Sequence, residues 1–69
     1  MNITIIIATD AAGKTWFLNA TGSWQERRDS QCHFLSAKAA GNAYRAAVTR
    51  DRFASAEDRM IEIEMRSLI

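Results

Sequence analysis

The chain has one cysteine, one histidine, no proline and no long apolar run. Each shortage closes off a class of protein. Cys32 alone cannot form an internal disulfide, and a lone thiol in so small a domain points to a reducing, cytoplasmic setting. There is no second histidine or cysteine to complete a zinc site. His33 stands beside Cys32, but neighbours on a strand point to opposite faces, so the two are not expected to act as base and nucleophile. No stretch approaches the ~20 apolar residues that span a bilayer. Ile5 to Ala8 is too short for a signal-peptide core and lacks a basic flank. Asn2-Ile3-Thr4 and Asn19-Ala20-Thr21 match the glycosylation pattern, and without an export signal both read as chance. There is no internal repeat and no low-complexity linker, so the 69 residues are expected to form one domain with a small core. The net charge of +1 supplies neither a bulk attraction to nucleic acid nor the acidity that would imitate a phosphate backbone.

What is present is one clear helical period, from Phe34 to Val48. Ala37, Ala40, Ala43, Tyr44, Ala47 and Val48 recur at three- and four-residue steps and share a face. Lys38, Asn42, Arg45, Thr49 and Arg52 share the opposite face. Ser36 is placed as the N-cap. Gly41 costs up to ~1 kcal/mol in a helix interior, which close approach to a sheet would explain. The helix is expected to fray between Thr49 and Phe53, with Phe53 closing one end of the core. Ser55 to Asp58 resembles a capping box and predicts one short helical turn.

The remainder reads as strand. Ile3 to Thr9 is β-branched, with Ile3, Ile5 and Ile7 on one face and Thr4, Ile6 and Ala8 on the other, a second face only half polar. Asp10 to Gly13 is a turn leading into a second strand, Thr15 to Ala20, and the short connection makes a hairpin. Thr21-Gly22-Ser23 is another turn. Trp24 to Asp29 reads as a loop or an extended arm, with Trp24 under the sheet. Gln31 to Phe34 is expected to be a short third strand. Ile61, Ile63 and Met65 alternate with Glu62, Glu64 and Arg66, which favours a final strand over a helix. Leu68 and Ile69 break that alternation and are expected to fold over the sheet edge. The order is strand, strand, short strand, helix, strand: an α+β domain with one amphipathic helix on one face of a three- to four-stranded antiparallel sheet.

No residue set spells out a reaction, a cofactor or a metal. Gly13-Lys14-Thr15 looks like the tail of a phosphate-binding loop, but Ala8 stands where that loop needs glycine, and a strand follows where it needs a helix. The hairpin turn with a solvated lysine is the better reading. Glu62 and Glu64 would share the open face of a strand, well solvated, which does not favour acid–base catalysis. The charge pattern says more. Lys38, Arg45 and Arg52 line the outer face of the helix, with Arg27 and Arg28 expected near its N-terminal end. This is either a solvated helix face or a basic patch that docks on phosphate or on an acidic protein surface. If the helix covers Trp16 and Leu18, then Phe17 lies on the open face beside Ile6, as an interaction patch or a dimer seam.

Trp16-Phe17-Leu18, Gly22-Ser23-Trp24 and Phe34-Leu35-Ser36-Ala37-Lys38-Ala39-Ala40 together resemble small phage and mobile-element proteins of the anti-CRISPR type. In those a hairpin ends in G-x-W, and a strand then leads into an alanine-rich helix and a last strand. The resemblance covers most of the chain and lies in structural motifs, so no site residue carries over from it. It implies a non-enzymatic protein of a bacterial host cytoplasm that docks on a surveillance complex or nuclease. Three readings stand: an inhibitor that binds a CRISPR effector or similar nucleoprotein complex through Arg27, Arg28, Lys38, Arg45 and Arg52; a weak nucleic-acid-binding module using the same residues; or a self-associating accessory protein whose last strand pairs with a second copy.

Overall fold

The computed structural model describes residues 3–55 and 57–68. In chain order these form β1 (Thr4–Asp10), β2 (Thr15–Leu18), β3 (Trp24–Gln25), a 3-10 turn (Ser30–Cys32), α1 (Ala37–Arg52) and β4 (Met60–Ser67). The sheet is antiparallel throughout, in the order β3-β2-β1-β4. One helix on a four-stranded antiparallel sheet is the α+β domain expected. The last segment is a strand, and it both returns beside β1 and forms an edge of the sheet.

Side-chain chemistry sets the two tight turns. The Asp10 carboxylate accepts from the backbone N–H of Ala12 and of Lys14, both at 2.9 Å, and from Trp16 Nε1 at 2.9 Å. Gly13 supplies the positive φ of +82° that closes this turn. In the next turn Asn19 Oδ1 accepts from Thr21 N–H, Thr21 Oγ1 and Ser23 N–H, and Gly22 takes φ +89°. Lys14 pairs with Glu26 and stands 4.7 Å from the Trp16 ring centroid, so it is held rather than freely solvated.

Register decides which face is core. Ile7 lies opposite Phe17 and Ala8 opposite Trp16 on one side of β1, and Ile6 lies opposite Met65 on the other. The helix covers the face bearing Ile6, Leu18 and Phe34, which with Ala40 and Ala47 make the buried cluster. Trp24, Ala43, Tyr44 and Ile63 pack against it. The face of β1 that packs on the helix is therefore that of Thr4, Ile6 and Ala8, while Ile5 is buried on the opposite face. Phe17 does lie on the other face, but its cross-strand neighbour is Ile7, and Ile6 is wholly buried. Small side chains at Ala40 and Ala47 let the helix axis lie close to the sheet.

Five further expectations are corrected. The third strand is Trp24–Gln25, because Trp24 pairs opposite Leu18 and drops its ring against the core. Ser30–Cys32 curls instead of extending, since Asp29 caps it by accepting from Gln31 N–H at 2.9 Å, and only Phe34 then bridges to Thr4. The helix ends at Arg52, within the expected stretch, but Phe53 beyond it is 83% exposed, far from closing the core. An added Cβ at Gly41 would meet only the Arg45 guanidinium, at 3.6 Å, so close approach to the sheet does not account for that glycine. Leu68 continues the ladder by donating its N–H to Ile3 O at 2.9 Å. Asn2, Ala56 and Ile69 lie outside the described residues.

Candidate interaction face

The N-cap forms as expected: Ser36 Oγ accepts from Ala39 N–H at 3.0 Å. From there the helical period places Lys38, Asn42, Arg45, Thr49 and Arg52 within one narrow sector turned away from the sheet, and all five are exposed. Lys38 and Arg52 stand about 21 Å apart along the axis at 1.5 Å per residue. The only carboxylate in the helix is Asp51, and it lies on the sheet side, where Oδ1 accepts from Met60 N–H at 2.7 Å. Among the described residues the ion pairs are Lys14–Glu26 and Glu64–Arg66. Lys38, Arg45 and Arg52 therefore face water without a carboxylate partner among those residues. Arg45 reaches along its own helix to the Asn42 side-chain oxygen.

Arg27 and Arg28 are exposed on the loop that follows β3 and lie outside this ridge. Two arginines not singled out from sequence gather at the helix C-terminus. Arg50 leans over the turn at Gly22, where an added Cβ would come within 3.5 Å of its Nη1. Arg59 Nη2 donates to Arg52 O at 2.7 Å and Ala54 O at 3.5 Å, satisfying carbonyls that the helix end leaves open. The charge sits well there, against the negative end of the helix dipole. Lys38 is placed the other way. It stands in the first turn, which contains no acidic residue, at the positive end of the dipole.

Beside the C-terminus, Ala54, Arg59, Met60 and Ile61 line an open hollow of about 440 Å³. A smaller one of about 140 Å³ is lined by Trp24, Ala47, Arg50, Asp51, Ala54 and Asp58. Exposed apolar side chains bracket the ridge, with Leu35 just before it and Phe53 just after. The helical period sets Phe53, the C-cap residue, four residues after Thr49 on the outer side, and its exposure follows from that position.

Cys32 is buried and His33 is half-buried beside it. Glu62 is exposed, and Glu64 is half-buried and paired with Arg66. Among the described residues no three His, Cys, Asp or Glu side chains gather as a metal site would require. Among the described residues the one clear electrostatic perturbation is at Asp10, whose pKa falls below the ordinary 3.8 because the Trp16 indole N–H, and then the Lys14 backbone N–H, stabilise its carboxylate. That carboxylate belongs to the hairpin turn. Among the described residues no helix is long and apolar enough to cross a membrane.

Compared with protein families, with curated proteins and with solved structures, the chain finds no match in any of the three.

Proposed function

We propose that this chain is a non-enzymatic interaction module that docks through the outer face of α1 on an acidic or phosphate-bearing surface of a protein or nucleoprotein complex. The observation that carries this reading is the ridge of Lys38, Arg45 and Arg52, three exposed cations at seven-residue spacing without a carboxylate among them. The helix dipole favours Arg52 in the last turn but does not explain the other two. A cation in the first turn opposes the helix dipole, and the helix's own carboxylate is turned to the sheet. Phe53, next to Arg52, adds the kind of exposed aromatic that anchors interfaces. Arg27 and Arg28 supply further cations from the loop after β3 and extend the contact beyond the helix.

The resemblance to anti-CRISPR proteins makes a CRISPR effector complex, held in a bacterial cytoplasm, the first partner to try. The experiment is a pull-down of such complexes with the native chain and with Lys38→Glu plus Arg45→Glu. Capture by the native chain and its loss in the double variant are expected. Capture that survives both charge reversals removes the helix face from the interaction. Titration against bare DNA and RNA across a salt series separates the nucleic-acid reading, since phosphate contacts would make affinity fall steeply with salt.

A further inference from the structure

A second surface stands apart from the helix ridge. β4 is an outer strand of the sheet. Leu68 donates its N–H to Ile3 O, and the ladder continues as Ile5 with Arg66, Ile7 with Glu64 and Thr9 with Glu62. Antiparallel pairs alternate between hydrogen-bonded and open. The backbone groups of Arg66, Glu64 and Glu62 therefore turn inward to β1, and those of Ile63 and Met65 turn outward to the edge. Tyr44 agrees with this parity, since its hydroxyl donates to Ile63 O at 3.3 Å. Of the described large apolar side chains that are exposed, Ile61 and Met65 lie on this strand and Leu68 directly follows it. An edge of this kind is a template for another strand.

We propose that β4 pairs antiparallel with β4 of a second copy, about a twofold axis through Met65, joining two four-stranded sheets into one. Charge selects both the occupant and the register. Opposed residues must share a face, so the axis can pass through a residue but not between two. With the axis at Ile63, Glu62 meets Glu64 twice. With the axis at Glu64, that carboxylate meets itself. With the axis at Met65, Glu64 meets Arg66 of the second copy on both sides, Met65 lies against Met65, and no like charges are opposed. The edge is thus complementary to itself in one register. The Glu64–Arg66 pair within the strand shows that both groups already lie on one face. Tyr44 engages one acceptor position of the Ile63 carbonyl and leaves the second, as well as the Met65 groups, to the new strand. This proposal is independent of the helix-face reading, and either can fail alone.

The test is solution mass across a concentration series, with charge swaps. The native chain should move from 7.7 kDa to twice that mass as concentration rises. Glu64→Arg and Arg66→Glu should each remain monomeric alone. Mixed together they should form a heterodimer, because each then meets its opposite across the axis. Met65→Cys should cross-link on mild oxidation, since Cα atoms of a hydrogen-bonded cross-strand pair lie about 5.5 Å apart. Ile63→Cys should not, because it would stand about 14 Å from its own copy. A native chain of single mass at its highest soluble concentration overturns the proposal. So does a mixture of the two charge variants that stays monomeric, or cross-linking equal at both positions. Tyr44→Phe should leave the dimer intact; loss of the dimer in that variant would overturn the register.

Discussion

At the β1–β2 hairpin one carboxylate accepts three hydrogen bonds, a lysine is held between a glutamate and an indole ring, and Leu18 is buried beneath the helix. Along β4 the ladder to β1 runs unbroken from Ser67 to Glu62 and shifts register at Ile61, yet Ile61 and Met65 are exposed, and Phe53, where the chain turns toward this strand, is the most exposed large apolar side chain described. The two regions belong to one sheet and draw on similar residue types. The hairpin side satisfies its side chains locally. The β4 side leaves apolar area in water, which in so small a core is a cost that folding of the monomer does not recover.

The sharpest way to break this comparison uses the same residue in both regions. Ile6 is wholly buried, whereas Ile61 is 71% exposed. Ile6→Ala should cost about 2–5 kcal/mol, because it removes core methyl groups and leaves a cavity beneath Ala40 and Ala47. Ile61→Ala should stay within about 0.5 kcal/mol. Urea melts of the two variants at low protein concentration measure both. Equal losses would mean that β4 is as tightly packed as β1 and that the contrast is false.

Acid probes the hairpin side next. The folded pKa of Asp10 is depressed, so the native state holds fewer protons than the unfolded chain at low pH. The contribution of this carboxylate is complete above its ordinary value of 3.8 and is lost as pH falls through that value to the depressed one. Asp10→Asn should lower stability at neutral pH and flatten this acid limb, as followed by thermal melts from pH 6 down to pH 2. An unchanged limb would show that the three hydrogen bonds do not favour the ionised form.

These contrasts also mark how far the sequence could be read. The helix, its Ser36 cap, the Asp10 turn and the alternation of β4 rest on local signals spanning a few residues, and all were legible. The core face of β1 was not, because isoleucines occupy both of its faces. The choice was made by Leu18 and Trp24, which join the Ile6 face only once β2 and β3 have paired. Phe53 was misplaced for a different reason: the helical period sets it four residues after Thr49 on the outer side, which its apolar character obscured. Within the candidate face, Lys38, Arg45 and Arg52 were legible from their seven-residue spacing. The places of Arg27 and Arg28 depended on a loop whose path no periodicity encodes.

Gly41 sharpens the helix's part in the comparison. Nothing but the Arg45 guanidinium stands near its missing Cβ. Gly41→Ala should therefore stabilise the chain by about 0.5–1 kcal/mol, the ordinary gain in a helix interior. A loss in thermal melts would mean that the helix sits closer to the sheet than its neighbours imply.

The smallest effect separates stability from function most cleanly. Lys38 occupies the first turn of α1, where the unpaired N–H groups of the helix present partial positive charge and where a carboxylate would be favoured. Lys38→Glu should therefore raise stability by about 0.5 kcal/mol at low ionic strength, and the gain should shrink as salt is added. The same change removes one end of the basic ridge and should weaken capture of an acidic partner. A variant that folds better and binds worse cannot owe its defect to unfolding. If Lys38→Glu instead destabilises the chain in low salt, the lysine is making a structural contact, and its place on the outer ridge would no longer argue for a docking face.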